Sequence, residues 1–286
     1  MTNIEKVVEL AMQLGGRHLA PYGAAKSRHD FTQRQLMSCL ILKVYLKTTY
    51  RGVLEVLATS EVLRQRLGLG DKLPHYTTLQ KFSARAQVQE IATAILAQLG
   101  GLAEAAARRE GRRVSAAVDS TGLEKTVASA HYTSRSGRAR HRWVKVSTAV
   151  LLGSLLPVGL VVDWGPSNDK RQVAQVLGQT WAAVTPARLY ADAGYDAEWL
   201  HVRAHAHGAE SLIRPARSRA DGTRGGYWRA RMTPEHLRAR GYGQRWQVES
   251  FFSALKRKLG SALTSRNPAQ LLKEATLRVL AYALHR

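Results

Sequence analysis

The uncharged run from Val146 to Val162 constrains the fold of this chain more than any other feature. Its length is at the short limit of the roughly 17 to 25 residues that a membrane-spanning helix needs. Gly153, Pro157 and Gly159 interrupt the run, and β-branched residues are frequent on either side of them. Such a pattern is typical of two buried strands joined by a turn. The run therefore predicts a sheet in the second half of the chain and argues against a membrane span.

The chain is strongly basic along its whole length. Its 286 residues include 43 Lys and Arg against 21 Asp and Glu, which gives a formal charge of +22. A charge excess of this size favours a polyanion as partner, most often a nucleic acid. A basic protein of the membrane surface is the alternative. The hydrophobic fraction of 45% is high enough to bury a core, which excludes a disordered chain.

Cysteine usage and the amino-terminal residues both favour a cytoplasmic protein. Cys39 is the sole cysteine of the sequence, which excludes an intramolecular disulfide and a zinc site built on several cysteines. Residues 1–15 contain Glu5 and Glu9 and lack the basic and apolar regions of an export signal. We therefore expect the reducing cytoplasm.

Residues 1–105 carry helical patterns and predict a helical domain. Thr32 and Gln35 form a capping-box pattern at the start of one helix. Further helices are predicted over residues 50–58 and 61–67, before a break at 68–74. Beyond the break, Leu79 and Phe82 lie at helical spacing in an arrangement similar to a helix-turn-helix unit. The prediction is a DNA-binding domain, with a scaffolding bundle as the alternative.

Residues 106–286 predict an α/β domain with a mixed sheet covered by helices, in the order β-β-β-α-β-α-β-α. The predicted strands cover residues 114–118, 143–152, 156–162, 187–191 and 211–214, and the predicted helices cover 170–184, 196–207 and 242–259.

Two basic segments interrupt this pattern. Residues 214–240 are rich in Arg and Gly and predict an insertion that faces a phosphate backbone. Residues 131–145 contain Arg135, Arg138 and Arg140 and no acid, and predict a hairpin tip that runs along DNA phosphates. A solvated loop is the alternative for both segments.

Two aspartates follow predicted strands. Asp119 comes after an apolar strand and before Ser120, and Asp192 comes directly after Ala191. Carboxylates at the ends of adjacent strands are a rigid way to hold a hard divalent cation. Aspartate is also common at strand ends because it caps turns, so neither residue by itself identifies a metal site.

The final predicted helix carries four functional candidates on one face. Tyr242, Arg245, Glu249 and Lys256 are spaced by 3, 4 and 7 residues and fall within a stripe roughly 60° wide. Glu249 could then join the two aspartates at a metal. Tyr242 and Lys256 lie on the order of 20 Å apart along such a helix, which suits contacts along a phosphate backbone. An amphipathic helix with an Arg245–Glu249 ion pair is the alternative.

These residues carry a resemblance to a known family. Tyr242, Arg245, Glu249 and Lys256 match the Y-x2-R-x3-E-x6-K signature of bacterial insertion-sequence transposases, the DDE group called IS four and IS five. Residues 190–196, reading Y-A-D-A-G-Y-D, are similar to the second-aspartate motif of that family, and residues 118–121 are similar to the first. The resemblance implies an RNase H-like fold with Asp119, Asp192 and Glu249 as the catalytic, metal-binding triad.

The resemblance also implies an activity and its partners. The expected reaction is cleavage of DNA at the ends of the protein's own mobile element and strand transfer to target DNA, with two Mg²⁺ ions as cofactor and Mn²⁺ as a substitute. Tyr242, Arg245 and Lys256 would bind DNA. The expected partners are the terminal repeats, the target DNA and a second copy of the chain on paired ends, in association with the bacterial nucleoid and with no membrane.

The sequence is also consistent with two other functions. A catalytically inactive, host-adopted DNA-binding protein would keep the basic surfaces, and a nuclease without strand transfer would share the triad. Among the neighbouring acids, Asp163 is interpreted as a strand-end residue, and Asp169 and Asp196 as helix caps. Trp246 is the best candidate for stacking on a DNA base.

Overall fold

The computed structural model describes residues 1–26, 28–125, 143–216 and 225–286. Most of the predicted basic hairpin and part of the basic insertion lie outside the described residues. The chain divides into two compact units, each assembled from separate stretches. The first contains residues 1–95, 123–144 and 255–286, and the second contains residues 96–122 and 145–254. The boundary between residues 105 and 106 stays a prediction.

The first unit is mainly helical. Capping boxes begin two of its helices: Thr2 with Glu5, and Thr32 with Gln35 as predicted. Its apolar core includes Val8 of α1 and Ile41 of α2, both fully buried. The helices of residues 1–109 are α1 (Asn3–His18), α2 (Gln33–Tyr45), α3 (Tyr50–Thr59), α4 (Glu61–Arg66), α5 (Tyr76–Ala84) and α6 (Gln87–Arg109), the last of which continues into the second unit.

The predicted helix-turn-helix is only partly matched. Helix α5 packs on α2 and α3, but residues 67–75 separate α4 from α5, whereas the turn of such a motif has three or four residues. The DNA-binding role of this region stays a prediction.

The second unit contains most of a mixed six-stranded sheet in the described part of the chain, with strand order β3-β2-β1-β4-β5 and β6 paired with β1. Strands β1, β4 and β5 are parallel to one another. The strands are β1 (Ala116–Lys125), β2 (Val144–Leu151), β3 (Leu156–Trp164), β4 (Arg188–Ala191), β5 (Glu210–Ile213) and β6 (Ala262–Leu263).

Helices flank this sheet. They are α7 (Asp169–Ala183), α8 (Glu198–Ala206), α9 (Tyr227–Arg231), α10 (Pro234–Ala239), α11 (Trp246–Leu259) and α12 (Pro268–His285), with 3-10 turns at residues 193–195 and 242–245. Helix α12 belongs to the first unit, and α11 continues from the second unit into the first. The arrangement confirms the predicted α/β class with an RNase H-like mixed sheet and a helical amino-terminal region.

The uncharged run forms β2 and β3, as predicted. Gly153 and Leu155 adopt positive φ angles of 84° and 56° in the turn between them. Gly159 of β3 faces α7 so closely that a Cβ atom there would lie 2.2 Å from the carbonyl oxygen of Val176. None of the helices in the described part of the chain combines the length and the apolar character needed to cross a membrane.

Three sequence predictions need correction. Strand β1 does not end before Asp119 but continues to Lys125, where it pairs with β6. The predicted helix 242–259 begins as a 3-10 turn at residues 242–245 and becomes an α-helix at Trp246. The described end of the basic insertion is not a loop, because it forms the short helices α9 and α10.

Candidate active site

Strand register brings the two predicted aspartates together. Parallel strands β1 and β4 pair Ala116 with Leu189 and Ala117 with Tyr190. Two residues beyond the second of these pairs, the two strands lead to Asp119 and Asp192. Side chains alternate between the faces of a sheet with a period of two residues, so both aspartates face the side to which Ala117 and Tyr190 point.

Asp119 is held in a partly buried position. Its side chain is 20% exposed, and its Oδ1 accepts a hydrogen bond of 2.8 Å from the backbone N–H of Ser120. Burial raises the pKa of the Asp119 carboxyl to about 6, and the negative charges of Asp192 and Asp169 act in the same direction. Three carboxylates therefore influence one another at this edge of the sheet.

Asp192 begins the 3-10 turn that follows β4. Its Oδ1 accepts a hydrogen bond of 2.8 Å from the backbone N–H of Gly194. This bond orients the carboxylate in the segment Asp192–Tyr195, which corresponds to the second motif recognised in the sequence.

The third predicted ligand, Glu249, lies in the first turn of α11. Its side chain is 57% exposed. The helix is docked by Val248 and Phe252, which are buried as predicted. The guanidinium of Arg245 contacts the Glu249 carboxylate and also lies 3.4 Å from Oδ2 of Asp119. One cation thus bridges the first and third residues of the predicted triad.

The remaining residues of the signature occupy different surroundings. Tyr242 donates a hydrogen bond of 2.9 Å from its hydroxyl to the carbonyl oxygen of Ala191, one residue before Asp192. Lys256 lies two turns beyond Glu249, about 10 Å along the axis of α11. The structure therefore brings Tyr242 and Arg245 to the carboxylates and leaves Lys256 further along the helix.

Asp169 does not cap a helix, contrary to the sequence interpretation. The cap of α7 is Asn168, whose side chain accepts a hydrogen bond from the Lys170 N–H. Asp169 instead accepts a hydrogen bond of 2.6 Å from the Ser120 hydroxyl, and its Oδ1 lies 2.6 Å from Nζ of Lys145. It is a site residue that sequence reasoning missed.

Lys145 and Tyr195 were missed as well. Lys145 lies in strand β2 and is only 5% exposed, and its Nζ also donates to the carbonyl oxygen of Ser167 at 2.6 Å. A lone lysine in an otherwise uncharged strand was a usable signal, because a buried charge needs a partner. Tyr195 is 1% exposed, and burial together with the charges of Asp169 and Asp119 raises its pKa.

Asp196 is not a helix cap either. Helix α8 begins at Ala197 without a side-chain cap. The two carboxylate oxygens of Asp196 accept hydrogen bonds of 2.7 and 2.6 Å from Nε and Nη2 of Arg229. Glu198 accepts the backbone N–H groups at the start of α9. Asp163 is an exposed residue near the end of β3, as interpreted.

These ion pairs change the interpretation of residues 214–240, the predicted basic insertion. Arg229 belongs to the Asp196 pair, and Arg240 lies 2.5 Å from Glu210. The acids that balance these arginines, Asp196 just before α8 and Glu210 in β5, lie outside residues 214–240, so part of the positive charge of that segment is paired. Among the described arginines of the segment, Arg231 lies over the ring of Tyr227.

An open groove lies beside the site in the second unit. It has a volume of 550 Å³. Its lining includes Tyr242, two arginines and several apolar side chains: Arg214, Pro215, Met232, Pro234, Leu237, Arg238 and Gly243. Trp246, the predicted stacking residue, is 57% exposed at the start of α11.

The donor set has the chemistry of a site for hard cations. Carboxylate oxygens are the ligands that Mg²⁺ prefers, and the Arg245 guanidinium already provides a positive charge between Asp119 and Glu249. As the side chains stand, the described residues contain no group of three or more His, Cys, Asp or Glu close enough to hold a metal ion. The residues fit a divalent ion by the type of their oxygen ligands, while the Glu249 carboxylate is paired with Arg245 in this arrangement.

Comparison with known families adds an independent observation. A family model described as a transposase DDE domain matches residues 110–284. This range contains all three predicted ligands. No curated protein matches the chain.

Proposed function

Since the chain belongs to the transposase DDE domain family, we propose that it cuts phosphodiester bonds at the ends of its own mobile element and joins the freed 3′ hydroxyl to target DNA. The family implies DNA binding and nuclease or transposase activity, and its members typically use divalent metals. The observation that carries the proposal is the register of the parallel strands β1 and β4, which places Asp119 and Asp192 two residues beyond the pair Ala117–Tyr190, with Arg245 linking Asp119 to Glu249.

Asp119, Asp192 and Glu249 are the proposed catalytic residues. Their carboxylates would hold two Mg²⁺ ions, or Mn²⁺ in their place. When bound, such ions activate the attacking oxygen and stabilise the charge on the leaving oxygen. The partly buried position of Asp119 reduces competition from water for its oxygens. Its hydrogen bond from the Ser120 N–H keeps one of them in a fixed direction.

Arg245 and Tyr242 position the DNA in this proposal. Arg245 offers a planar fork of donors that suits a phosphate. When a scissile phosphate approaches, the guanidinium can leave Asp119 and Glu249 for the phosphate oxygens, which frees both carboxylates. Tyr242 packs beside Asp192 through its bond to Ala191 and lines the adjacent groove. Lys256, two turns further along α11, suits a phosphate outside the cleavage site.

The DNA partners are the terminal repeats of the element and the target DNA. The net charge of +22 favours both, because binding to DNA releases condensed counterions. Two ends must be joined to one target, so we propose a homodimer on paired ends that works on the chromosome in the bacterial nucleoid. The insertion-sequence group, IS four or IS five, stays a prediction.

The test is cleavage of a labelled duplex that carries the terminal repeat flanking the coding sequence. We expect wild-type protein to nick this duplex in Mg²⁺ and not in EDTA. Glu249→Gln should keep DNA binding and lower the cleavage rate by roughly three orders of magnitude, since a metal-activated step contributes several kcal/mol. Glu235→Gln, at an exposed glutamate of α10, is the matched control and should cleave normally.

Each other outcome has a defined meaning. Normal cleavage by Glu249→Gln in Mg²⁺ would contradict the assignment of the triad. Nicking without joining, when a 3′ hydroxyl end and target DNA are supplied, would identify a nuclease without strand transfer. DNA binding without cleavage in either Mg²⁺ or Mn²⁺ would identify an inactive DNA-binding protein.

A further inference from the structure

A fourth carboxylate lies beside the proposed triad and has no role in it. Asp169 is the first residue of α7, but Asn168 caps that helix. Its Oδ1 meets the Ser120 hydroxyl and the Lys145 ammonium, both at 2.6 Å. Helix α7 is thereby tied to β1 through Ser120 and to β2 through Lys145, at the point where β1 carries Asp119.

Loss of Asp169 would lower the stability of the protein because of Lys145. Its side chain is 6% exposed, and a buried ammonium without a partner destabilises a fold strongly. Asp169 provides the counter-charge, and the carbonyl oxygen of Ser167 accepts a second bond from Nζ. The sequence thus keeps an ion pair between the buried Lys145 and the partly exposed Asp169 next to the site.

The second oxygen of Asp169 faces the segment that carries Asp192. A Cβ atom at Gly194 would lie 3.2 Å from Oδ2 of Asp169 and 3.0 Å from Oδ1 of Asp192. Both carboxylates therefore lie close to the backbone of Gly194, where an added Cβ atom would have to displace one of them.

A buried hydroxyl in the same segment is an independent observation. Tyr195 is 1% exposed, and its hydroxyl interacts with the side chain of Ser120. It also lies within the electrostatic reach of Asp169, Asp119 and Asp192. Ser120 is therefore contacted by a second buried side chain of the segment that carries Asp192.

We propose that Asp169 is a positioning residue of the carboxylate site: it anchors Ser120, and with it the carboxylate of Asp119, against the segment that carries Asp192. The inference rests on the proposed function. The Asp119 carboxylate accepts the Ser120 N–H, so a fixed Ser120 fixes that carboxylate. Lys145 neutralises Asp169, which lets a fourth carboxylate lie close to the other two without adding a full negative charge.

The test measures Mn²⁺ binding to the full-length protein by electron paramagnetic resonance, in parallel with DNA cleavage. Asp169→Ala removes the carboxylate and with it the acceptor of the Ser120 hydroxyl, whereas Asn would keep an oxygen that can accept the same bond. Loss of a partner that orients a metal ligand typically weakens binding by about 10 to 100-fold, and we expect a loss of this size. Asp163→Ala, at an exposed aspartate near the end of β3, is the matched control and should bind Mn²⁺ as the wild type does.

A second variant separates positioning from folding. Asp169→Ala leaves the buried Lys145 without its counter-charge and could unfold the protein for that reason alone. The double variant Asp169→Ala with Lys145→Met removes both charges and should recover most of the wild-type unfolding midpoint. We expect it to keep the loss of Mn²⁺ affinity, because the Ser120 hydroxyl has still lost its acceptor.

The outcomes distinguish this inference from the proposed function. Mn²⁺ affinity within twofold of wild type in the folded double variant would overturn the role of Asp169. Wild-type protein that binds Mn²⁺ but does not cleave DNA would contradict the proposed reaction, while the affinities of the variants would still decide the role of Asp169. Absence of Mn²⁺ binding by the wild type would overturn both.

Discussion

His201 should make the stability of this protein fall steeply in mild acid. The imidazole is fully buried on the inner side of α8, and its Nδ1 lies 2.7 Å from the Ser211 hydroxyl. Burial lowers the pKa of His201 to about 4. The charges of Glu198 and Asp196 act against this shift, and those of His205 and Arg229 add to it.

The size of this loss of stability follows from the pKa of the His201 imidazole in the unfolded and in the folded chain. The unfolded chain takes up a proton near the ordinary pKa of 6.5, and the folded chain does so near 4. Between these values the unfolded state binds more protons, so the free energy of unfolding falls as the pH falls. A difference of this size, at 1.36 kcal/mol per pKa unit, corresponds to about 3 kcal/mol. The loss begins near pH 6.5 and is complete below pH 4.

The measurement is the urea midpoint of unfolding of the full chain, followed by tryptophan fluorescence from pH 7.5 to 4. Asn at position 201 can replace the Nδ1 contact but does not titrate, so His201→Asn should lose less stability than wild type over this range. Ser211→Ala removes the hydrogen bond and keeps the imidazole, and should retain the wild-type pH dependence. Parallel loss of stability in wild type and His201→Asn would refute the reasoning.

Further predictions concern packing and ion pairs, and each is checked by thermal unfolding. Gly159→Ala should cost about 3 kcal/mol, since the new Cβ would lie 2.2 Å from the carbonyl oxygen of Val176; a midpoint equal to wild type would contradict the close approach of α7. Gly178→Ala, in the facing helix α7, is its control, because no atom lies within 4 Å of the new Cβ, and it should add about 0.5 to 1 kcal/mol. Asp196→Ala should cost about 3 to 5 kcal/mol by leaving Arg229 without its carboxylate; a loss no larger than that of the exposed Glu235→Ala would show that the pair is not structural.

The sequence predicted the order of elements in the sheet domain well because the signals were local. The breakers Gly153 and Pro157 within an uncharged run predicted β2 and β3. The sequence placed Asp119 and Asp192 directly after two predicted strands, but the parallel pairing of β1 with β4 and its register, which bring the two aspartates to the same edge, come from the structure.

The surroundings of the carboxylates were less predictable because they depend on contacts between distant segments. Asp169 follows Asn168 in a capping sequence, and local pattern reading assigned both to the same role. Only the packing of α7 on the sheet brings Asp169 to Ser120, 49 positions away in sequence. The same limit applies to Asp196, whose partner Arg229 is 33 positions away.

Residues 242–259, the final predicted helix, show a second limit of prediction from sequence. Helical spacing correctly predicted that Tyr242, Arg245 and Glu249 lie on one side of the segment. Its first turn, residues 242–245, is nevertheless a 3-10 turn, and Gly241 directly before it has a positive φ of 73°. Periodicity measured over a whole segment does not resolve such a change of helix type within one turn.

The contacts of Asp196 have a consequence for how this protein can vary. Its carboxylate accepts the backbone N–H of Ala216 and also holds the side chain of Arg229, so one buried residue fixes the chain on both sides of residues 217–224. Loss of the Asp196 carboxylate would therefore release Ala216 and Arg229 together, so neither of these two positions can change its backbone or side-chain contacts independently of residue 196.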